Sequence, residues 1–160
     1  MKVARLRAAH HRQRQQTKMK PLADQIIEKL RLLPHPEGGW FRQTWAGPML
    51  QGRASGTAIL FLLKSGEHSH WHRVDADEIW LYHAGAPLLL RTAAQNEGPV
   101  QTHVLGPDVL GDQWVQITAP KTYWQAAQTT GDWTLVSCTV SPGFLFTGFE
   151  LAPPGFDIPA

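Results

Sequence analysis

The chain has 160 residues, of which 42% are hydrophobic. This is enough for one sizeable core and too few for two ordinary domains. Its formal net charge is only +2, no apolar run is long enough to span a membrane, and the single cysteine excludes a disulfide framework. We therefore expect a cytoplasmic protein with one domain, no membrane partner, and a buried, unreactive thiol at Cys138.

The positive charge is concentrated at the N-terminus. Residues 1–20 hold seven Lys and Arg and no acidic residue, so the rest of the chain is net negative. We expect a disordered basic arm over residues 1–20 and a single domain over residues 21–160. Because no aromatic platform accompanies the arm, its charge predicts at most weak, salt-sensitive attraction to nucleic acid, and no specific nucleic-acid partner is expected.

The first predicted element is a short amphipathic helix over residues 21–33, with apolar residues at helical spacing and Pro34 after its end. The segment HPEGGWFRQTW that follows predicts a first strand. Residues 57–64, TAILFLLK, are almost continuously apolar and predict a strand buried on both faces.

Six more strands are predicted, separated by turns rich in Gly, Pro and Asn: residues 78–83, 88–92, 101–104, 114–117, 122–127 and 133–140. Many short strands with only one helix indicate an antiparallel sandwich or barrel. The C-terminal stretch from residue 141 is rich in Gly, Pro and Phe, so we expect an irregular segment that wraps the barrel, with its phenylalanines used for packing.

The histidine-rich segment GEHSHWHR is the strongest candidate for chemistry. If it is extended, His68, His70 and His72 share one face of a strand. Glu78 on the next strand could approach them, and imidazoles with one carboxylate suit Zn, Fe, Ni or Mn. The alternative is that these histidines form hydrogen bonds at a polar barrel mouth or lie in solvent.

The order GEHSHWHRVDADEIWLYHAG resembles the first cupin motif. Counting from Gly66, the motif positions fall on His72, Val74, Glu78 and Gly85. Val74 thus stands where the second histidine would be, and a register that pairs His70 with His72 leaves one residue too many before Glu78. PKTYWQ resembles the second motif but has Gln125 at the place of the metal-binding histidine. The resemblance therefore implies an incomplete metal set.

The sequence resembles, more specifically, the uncharacterised cupin type 5 family over roughly residues 22–149. The matching stretches are HPEGGWFR, HRVDADEIW, APKTYWQAA and SCTVSPGF. The resemblance implies an all-β cupin jelly roll, or double-stranded β-helix, usually assembled as a homodimer, with one short N-terminal helix. The ligand-binding candidates around its pocket are His35, Glu37, Arg42, Arg73, Asp77, Glu78, Trp80 and Gln125.

The leading hypothesis is a cupin that binds a small polar or anionic metabolite, as a metal-free isomerase or epimerase. His72 is the candidate general base, because a histidine can abstract a proton near neutral pH. Arg42 or Arg73 would hold a phosphate or carboxylate, and Tyr82 or Tyr123 would return the proton. The expected cofactor is none or a divalent metal.

Two alternatives stay open. The first is a metal-dependent oxygenase or isomerase with His70, His72 and Glu78 as ligands. The second is a non-enzymatic, storage-like protein that binds a ligand in the same cavity. Retained proton-transfer chemistry would favour an enzyme over binding alone.

Overall fold

The structure is a computed structural model, and it describes residues 20–160. The expected arm, apart from Lys20, lies outside the described residues. Within them, no helix is both long enough and apolar enough to cross a membrane.

Helix α1 spans Leu22–Leu30 and ends earlier than its apolar pattern predicts. Arg31 adopts a left-handed conformation with φ of 55°, and its N–H donates to the carbonyl of Glu28. This C-cap stops the helix, and Leu33 begins a short strand instead.

The strands of the described residues form two large antiparallel sheets and one small one. The first sheet has the order β1-β2-β5-β12-β7-β10, the second has β13-β6-β11-β8-β9, and β3 pairs with β4. Their bounds are β1 Leu33–Pro34, β2 Trp40–Ala46, β3 Met49–Leu50, β4 Arg53–Ala54, β5 Thr57–Lys64, β6 Ser69–Val74, β7 Asp77–Gly85, β8 Leu88–Ala93, β9 Gln101–Leu105, β10 Gln116–Ala119, β11 Trp124–Thr129, β12 Trp133–Ser141 and β13 Phe149–Leu151. The expected all-β jelly roll with one N-terminal helix is confirmed.

The core lies between the two large sheets. Phe61 and Trp80 from the first sheet pack with Leu88, Leu90 and other residues of the second. Strand β5 is buried on its other face as well, because Leu62 packs against Ala23 and Leu32 of the α1 segment. The prediction of a strand buried on both faces is confirmed.

The C-terminal stretch contains regular structure that the sequence did not predict. Phe146–Gly148 form a 3-10 helix, and β13 pairs with β6, with Phe149 opposite Val74 and Leu151 opposite His72. The expectation of an irregular segment is therefore wrong at this point. The free edge of β6 offers backbone hydrogen bonds, which the C-terminal segment satisfies despite its poor strand composition.

Candidate functional site

A cavity of about 70 Å³ lies at the end of the barrel where β5 and β7 begin and where β6 and β12 end. It has room for several water molecules but is small beside the pockets that hold drug-sized ligands. Its lining residues are His35, Glu37, Phe41, Gln43, Thr57, Ile59, His72, Val74, Glu78, Cys138, Val140, Phe144, Phe146 and Phe149.

A tight turn before β2 brings Glu37 into this cavity. The N–H of Gly38 donates to the carbonyl of His35, and the carbonyl of Glu37 accepts a hydrogen bond of 2.8 Å from the N–H of His70 on β6. Gly38 has φ of +106°, and a Cβ atom there would lie 2.0 Å from the carbonyl oxygen of His68. Only glycine fits, so the Gly pair of HPEGGW fixes where the Glu37 side chain enters.

A β-bulge decides which side chains of β6 meet Glu37. Gln125 of β11 lies opposite His72, and Ala127 lies opposite Ser69, so three steps along β6 match two along β11. The extra residue breaks the alternation of faces. The side chains of Ser69 and His72 therefore both contact Glu37, whereas the imidazole of His70 does not.

Glu37 accepts hydrogen bonds and lies between two imidazoles. Its Oε1 accepts a hydrogen bond of 2.8 Å from Ser69, while Oε2 lies 3.3 Å from Nε2 of His72 and 3.4 Å from Nδ1 of His35. Nδ1 of His72 donates to the carbonyl of His70 at 2.8 Å, which leaves Nε2 to exchange a proton with Glu37. Nδ1 of His35 accepts the N–H of Glu37, so the proton of a neutral His35 is on Nε2.

Two buried hydrogen bonds connect Glu78 to Gln125 and Gln125 to Trp80. The Nε2 amide of Gln125 donates to Oε2 of Glu78, and Oε1 of Gln125 accepts a hydrogen bond of 2.8 Å from the indole of Trp80. Because the indole is a donor only, this contact fixes the orientation of the carboxamide. The thiol of Cys138 also lines the cavity, and it acts to lower the pKa of Glu78 against the larger effect of burial.

Burial dominates the electrostatics of the site. Burial raises the pKa of Glu37 and the pKa of Glu78 to about 7 each, against the opposing effect of the histidines. It lowers the pKa of His72 and of His35, and it raises the pKa of Cys138 well above its ordinary value. Near neutral pH the carboxyl groups can therefore gain or lose a proton, the imidazoles are neutral, and the thiol keeps its proton.

The structure brings six of the predicted site residues together. His35, Glu37, His72 and Glu78 line the cavity, and Trp80 and Gln125 are buried behind it. All six belong to segments that carried the family resemblance.

Three predicted ligand-binding residues lie outside the cavity. Arg42 is exposed on β2. Nε of Arg73 donates to Glu150 at 2.6 Å, and Asp77 accepts the backbone N–H of Lys121 at 2.8 Å. Among residues 20–160 no lysine or arginine lines the cavity, so no cationic Lys or Arg side chain is available there to pair with an anion.

The predicted tyrosines and His70 also lie elsewhere. The hydroxyl of Tyr82 donates to the carbonyl of Gly85, and Tyr123 is half-buried away from the cavity. Nε2 of His70 lies 3.0 Å from the carbonyl of Pro153. The predicted convergence of the histidines on one face is wrong, because the bulge in β6 turns His70 away from His72.

Sequence reasoning assigned the C-terminal phenylalanines to packing, but Phe144, Phe146 and Phe149 also line the cavity. Their rings contact one another at centroid distances of 5.0–6.1 Å. Phe144 ends the matching stretch SCTVSPGF, whereas Phe146 and Phe149 lie beyond it. The sequence did not indicate that Ser69 would donate a hydrogen bond to Glu37, because a local pattern does not show the bulge that turns Ser69 toward it.

The donor set does not fit a divalent metal ion. Nε2 of His72 faces Glu37, the neighbouring motif position is the apolar Val74, and the carboxamide of Gln125 is engaged by Trp80 and Glu78. Across residues 20–160, no group of three or more His, Cys, Asp or Glu side chains is arranged to hold a metal ion.

Comparison with known proteins gives a consistent result. The family model described as Cupin superfamily (DUF985), named Cupin_5, matches residues 24–152. A crystal structure of a protein from Shewanella oneidensis is 38% identical, with a TM-score of 0.77, and the match covers 81% of this chain and 84% of that one. The comparison with curated proteins found no match.

Two further structures are similar. A hypothetical protein from Leishmania major is 29% identical with a TM-score of 0.75, and the match covers 84% of this chain and 89% of that one. A cupin 2 conserved barrel domain protein from Rhodopseudomonas palustris is 13% identical with a TM-score of 0.55, over 78% and 79% of the two chains. The last of these supports the fold alone.

Proposed function

This chain belongs to the Cupin_5 family of the cupin superfamily, and we propose that its cavity binds a small molecule and catalyses proton transfer on it without a metal ion, as an isomerase or epimerase does. The observation that carries the proposal is the arrangement of Glu37, His72 and Glu78 around one small cavity. A homodimer stays a prediction from the family resemblance.

The proposed reaction starts at a carbon next to a carbonyl group. Glu78 takes the proton from that carbon, the electron pair of the broken C–H bond forms a C=C bond, and the π pair of the carbonyl moves onto its oxygen. The oxygen receives a proton from the Glu37–His72 pair, which gives an enol. Return of a proton to the same carbon from the other face epimerises the substrate. In an α-hydroxy carbonyl compound, protonation of the former carbonyl carbon and loss of the α-hydroxyl proton isomerise it, and neither route involves net oxidation.

The surroundings of each group support its role. Glu78 receives a hydrogen bond from Gln125, which favours its charged form, while burial opposes that charge. Glu37 can pass its proton to Nε2 of His72 across 3.3 Å. With both carboxyl groups titrating as a pair near pH 7, one can be ionised while the other is protonated.

The experiment is solvent deuterium incorporation followed by NMR. The protein is incubated in D₂O with a panel of carbonyl compounds: cyclohexanone, 2-hydroxycyclohexanone, dihydroxyacetone phosphate and pyruvate. At least one compound is expected to exchange its C–H next to the carbonyl, with a rate maximum near neutral pH.

The variants Glu78→Gln and Glu37→Gln are expected to slow this exchange by about 100-fold or more, the usual contribution of general acid–base catalysis. The matched control is Asp77→Asn, because Asp77 neighbours Glu78 in the sequence but lies outside the cavity. A compound that binds but exchanges no faster with the wild type than with Glu78→Gln would contradict the proposal and leave a binding protein.

A further inference from the structure

We propose that the ligand of this cavity is a compact, uncharged molecule with an apolar body and a single carbonyl or hydroxyl group. This inference deepens the proposed function, on whose site it rests, and replaces the polar or anionic metabolite that the sequence suggested. Three features of the cavity wall carry it.

The first feature is the charge of the lining. Its ionisable side chains are two carboxyl groups, two histidines and one thiol, and within residues 20–160 no Lys or Arg joins them. A phosphate or carboxylate would meet Glu37 and Glu78 with no cationic side chain to offset its desolvation. The wall therefore rejects anions.

The second feature is that three of the four carboxyl oxygens already have partners, which leaves only Oε1 of Glu78 as an acceptor for the ligand. Oε1 of Glu37 accepts from Ser69, its Oε2 faces two imidazoles, and Oε2 of Glu78 accepts from Gln125. An ammonium group brings three donors, and burying it requires acceptors that are free. The wall therefore disfavours cations as well.

The third feature is the apolar remainder of the wall. Val74, Val140 and the mutually packed rings of Phe144, Phe146 and Phe149 line the cavity. Phe146 is 60% exposed although it lines the cavity, so it stands at the mouth. Outside the His–Glu cluster and Cys138, the polar lining residues are Gln43 and Thr57, and Oγ1 of Thr57 already accepts the N–H of Phe144. The ligand therefore needs a polar head at the cluster and an apolar body against the valines and phenylalanines.

Binding of matched probes tests the ligand class without requiring turnover. Cyclohexanone, phenol, benzoate and cyclohexylammonium are titrated against the protein at pH 7.5, with affinities from ligand-observed NMR. We expect saturable binding of cyclohexanone or phenol, and at least about tenfold weaker binding of benzoate and cyclohexylammonium. Equal or tighter binding of either charged probe, or binding of none of the four, would overturn the inference.

A pair of variants locates the binding. Phe146→Ala removes an exposed ring, so the fold should be retained, and it is expected to weaken cyclohexanone binding about three- to tenfold. Leu145→Ala is the control, because Leu145 is adjacent and exposed but does not line the cavity. Equal effects of the two variants would contradict the inference.

The two proposals can fail separately. Cyclohexanone that binds in the cavity without deuterium exchange refutes the proposed reaction and supports the ligand class. Exchange on dihydroxyacetone phosphate or pyruvate, with no binding of the uncharged rings, refutes the ligand class and supports the reaction.

Discussion

Gln125 stands where the second cupin motif has a metal-binding histidine, and here it connects two buried groups. Its carboxamide accepts from the Trp80 indole and donates to Glu78. A neutral histidine that made both contacts would use both of its ring nitrogens, and none would be left to bind a metal. The replacement therefore changes the local chemistry from metal ligation to orientation of a carboxyl group.

The raised pKa of Glu78 predicts a pH dependence of stability. A carboxyl group whose pKa is 4.5 when unfolded and about 7 when folded binds more protons in the native state between these values. Its contribution to the free energy of unfolding is full below about pH 4.5 and is lost as the pH rises through 7. The change is at most roughly 3 kcal/mol. The lowered pKa values of His35 and His72 act in the opposite direction, as their contributions are lost when the pH falls.

Urea unfolding of wild type and Glu78→Gln from pH 5 to pH 8 checks this prediction. The wild type should lose stability relative to the variant as the pH rises, and the difference reports Glu78 together with its coupling to Glu37 and His72. Asp77→Asn, whose carboxyl group is exposed, should keep the wild-type slope. Parallel curves for wild type and Glu78→Gln would show that Glu78 is not perturbed.

At the scale of elements, the bulge in β6 matters most for the site. Without it, His70 and His72 would share a face, and Ser69 would point away from Glu37. With it, Ser69 and His72 both reach Glu37. One extra residue in the strand thus moves the imidazole of His70, a possible metal ligand, away from the site and brings the hydroxyl of Ser69 to the carboxyl group of Glu37.

The segment after α1 offers a matched pair for testing how the helix stabilises the barrel. Leu32 is 4% exposed and packs with Leu62 of β5, whereas its neighbour Leu33 is 66% exposed. We expect Leu32→Ala to lower the free energy of unfolding by about 2–4 kcal/mol, through lost burial and a residual cavity. Leu33→Ala should change it by less than about 0.5 kcal/mol. Chemical denaturation measures both, and equal losses would mean that α1 is not packed as described.

At the scale of the whole molecule, the barrel keeps the cupin frame while the side chains at the metal positions have changed. Val74 and Gln125 stand where the cupin motifs have histidines, so two nitrogen ligands of the motif set are replaced. His72 and Glu78 keep their places, but each has a protein partner instead of a shared ion. The same fold therefore carries different side chains at the motif positions, as the proposed acid–base chemistry requires.

Restoring one motif histidine tests this view. Val74→His would place a second imidazole in the cavity with His72 and Glu78, and three such ligands suffice for a catalytic-type metal site. We expect the variant to gain about one equivalent of Ni²⁺ or Zn²⁺ after reconstitution and dialysis, measured by elemental analysis. Wild type and the control Val74→Leu should retain far less than one equivalent. Stoichiometric metal in the wild type would contradict our assignment.

Local sequence patterns predicted an antiparallel sandwich or barrel, the helix and most strands, and the family resemblance added the jelly roll and the segments around the cavity. These features depend on apolar periodicity, turn residues and motif spacing over a few dozen residues. His72 and Glu78 could be placed in the pocket because they lie on consecutive strands at motif spacing. The Gly pair after Glu37 likewise indicates a turn ahead of the first long strand.

Which side chains meet depends instead on the tertiary structure. Glu37 reaches His72 because the turn before β2 docks on β6, and Ser69 reaches Glu37 because β6 is bulged. Phe149 joins the cavity because β13 pairs with β6, while Arg42 and Arg73 point away from it. Such contacts join residues far apart in the chain, and they follow from strand register and packing, which a local pattern does not encode.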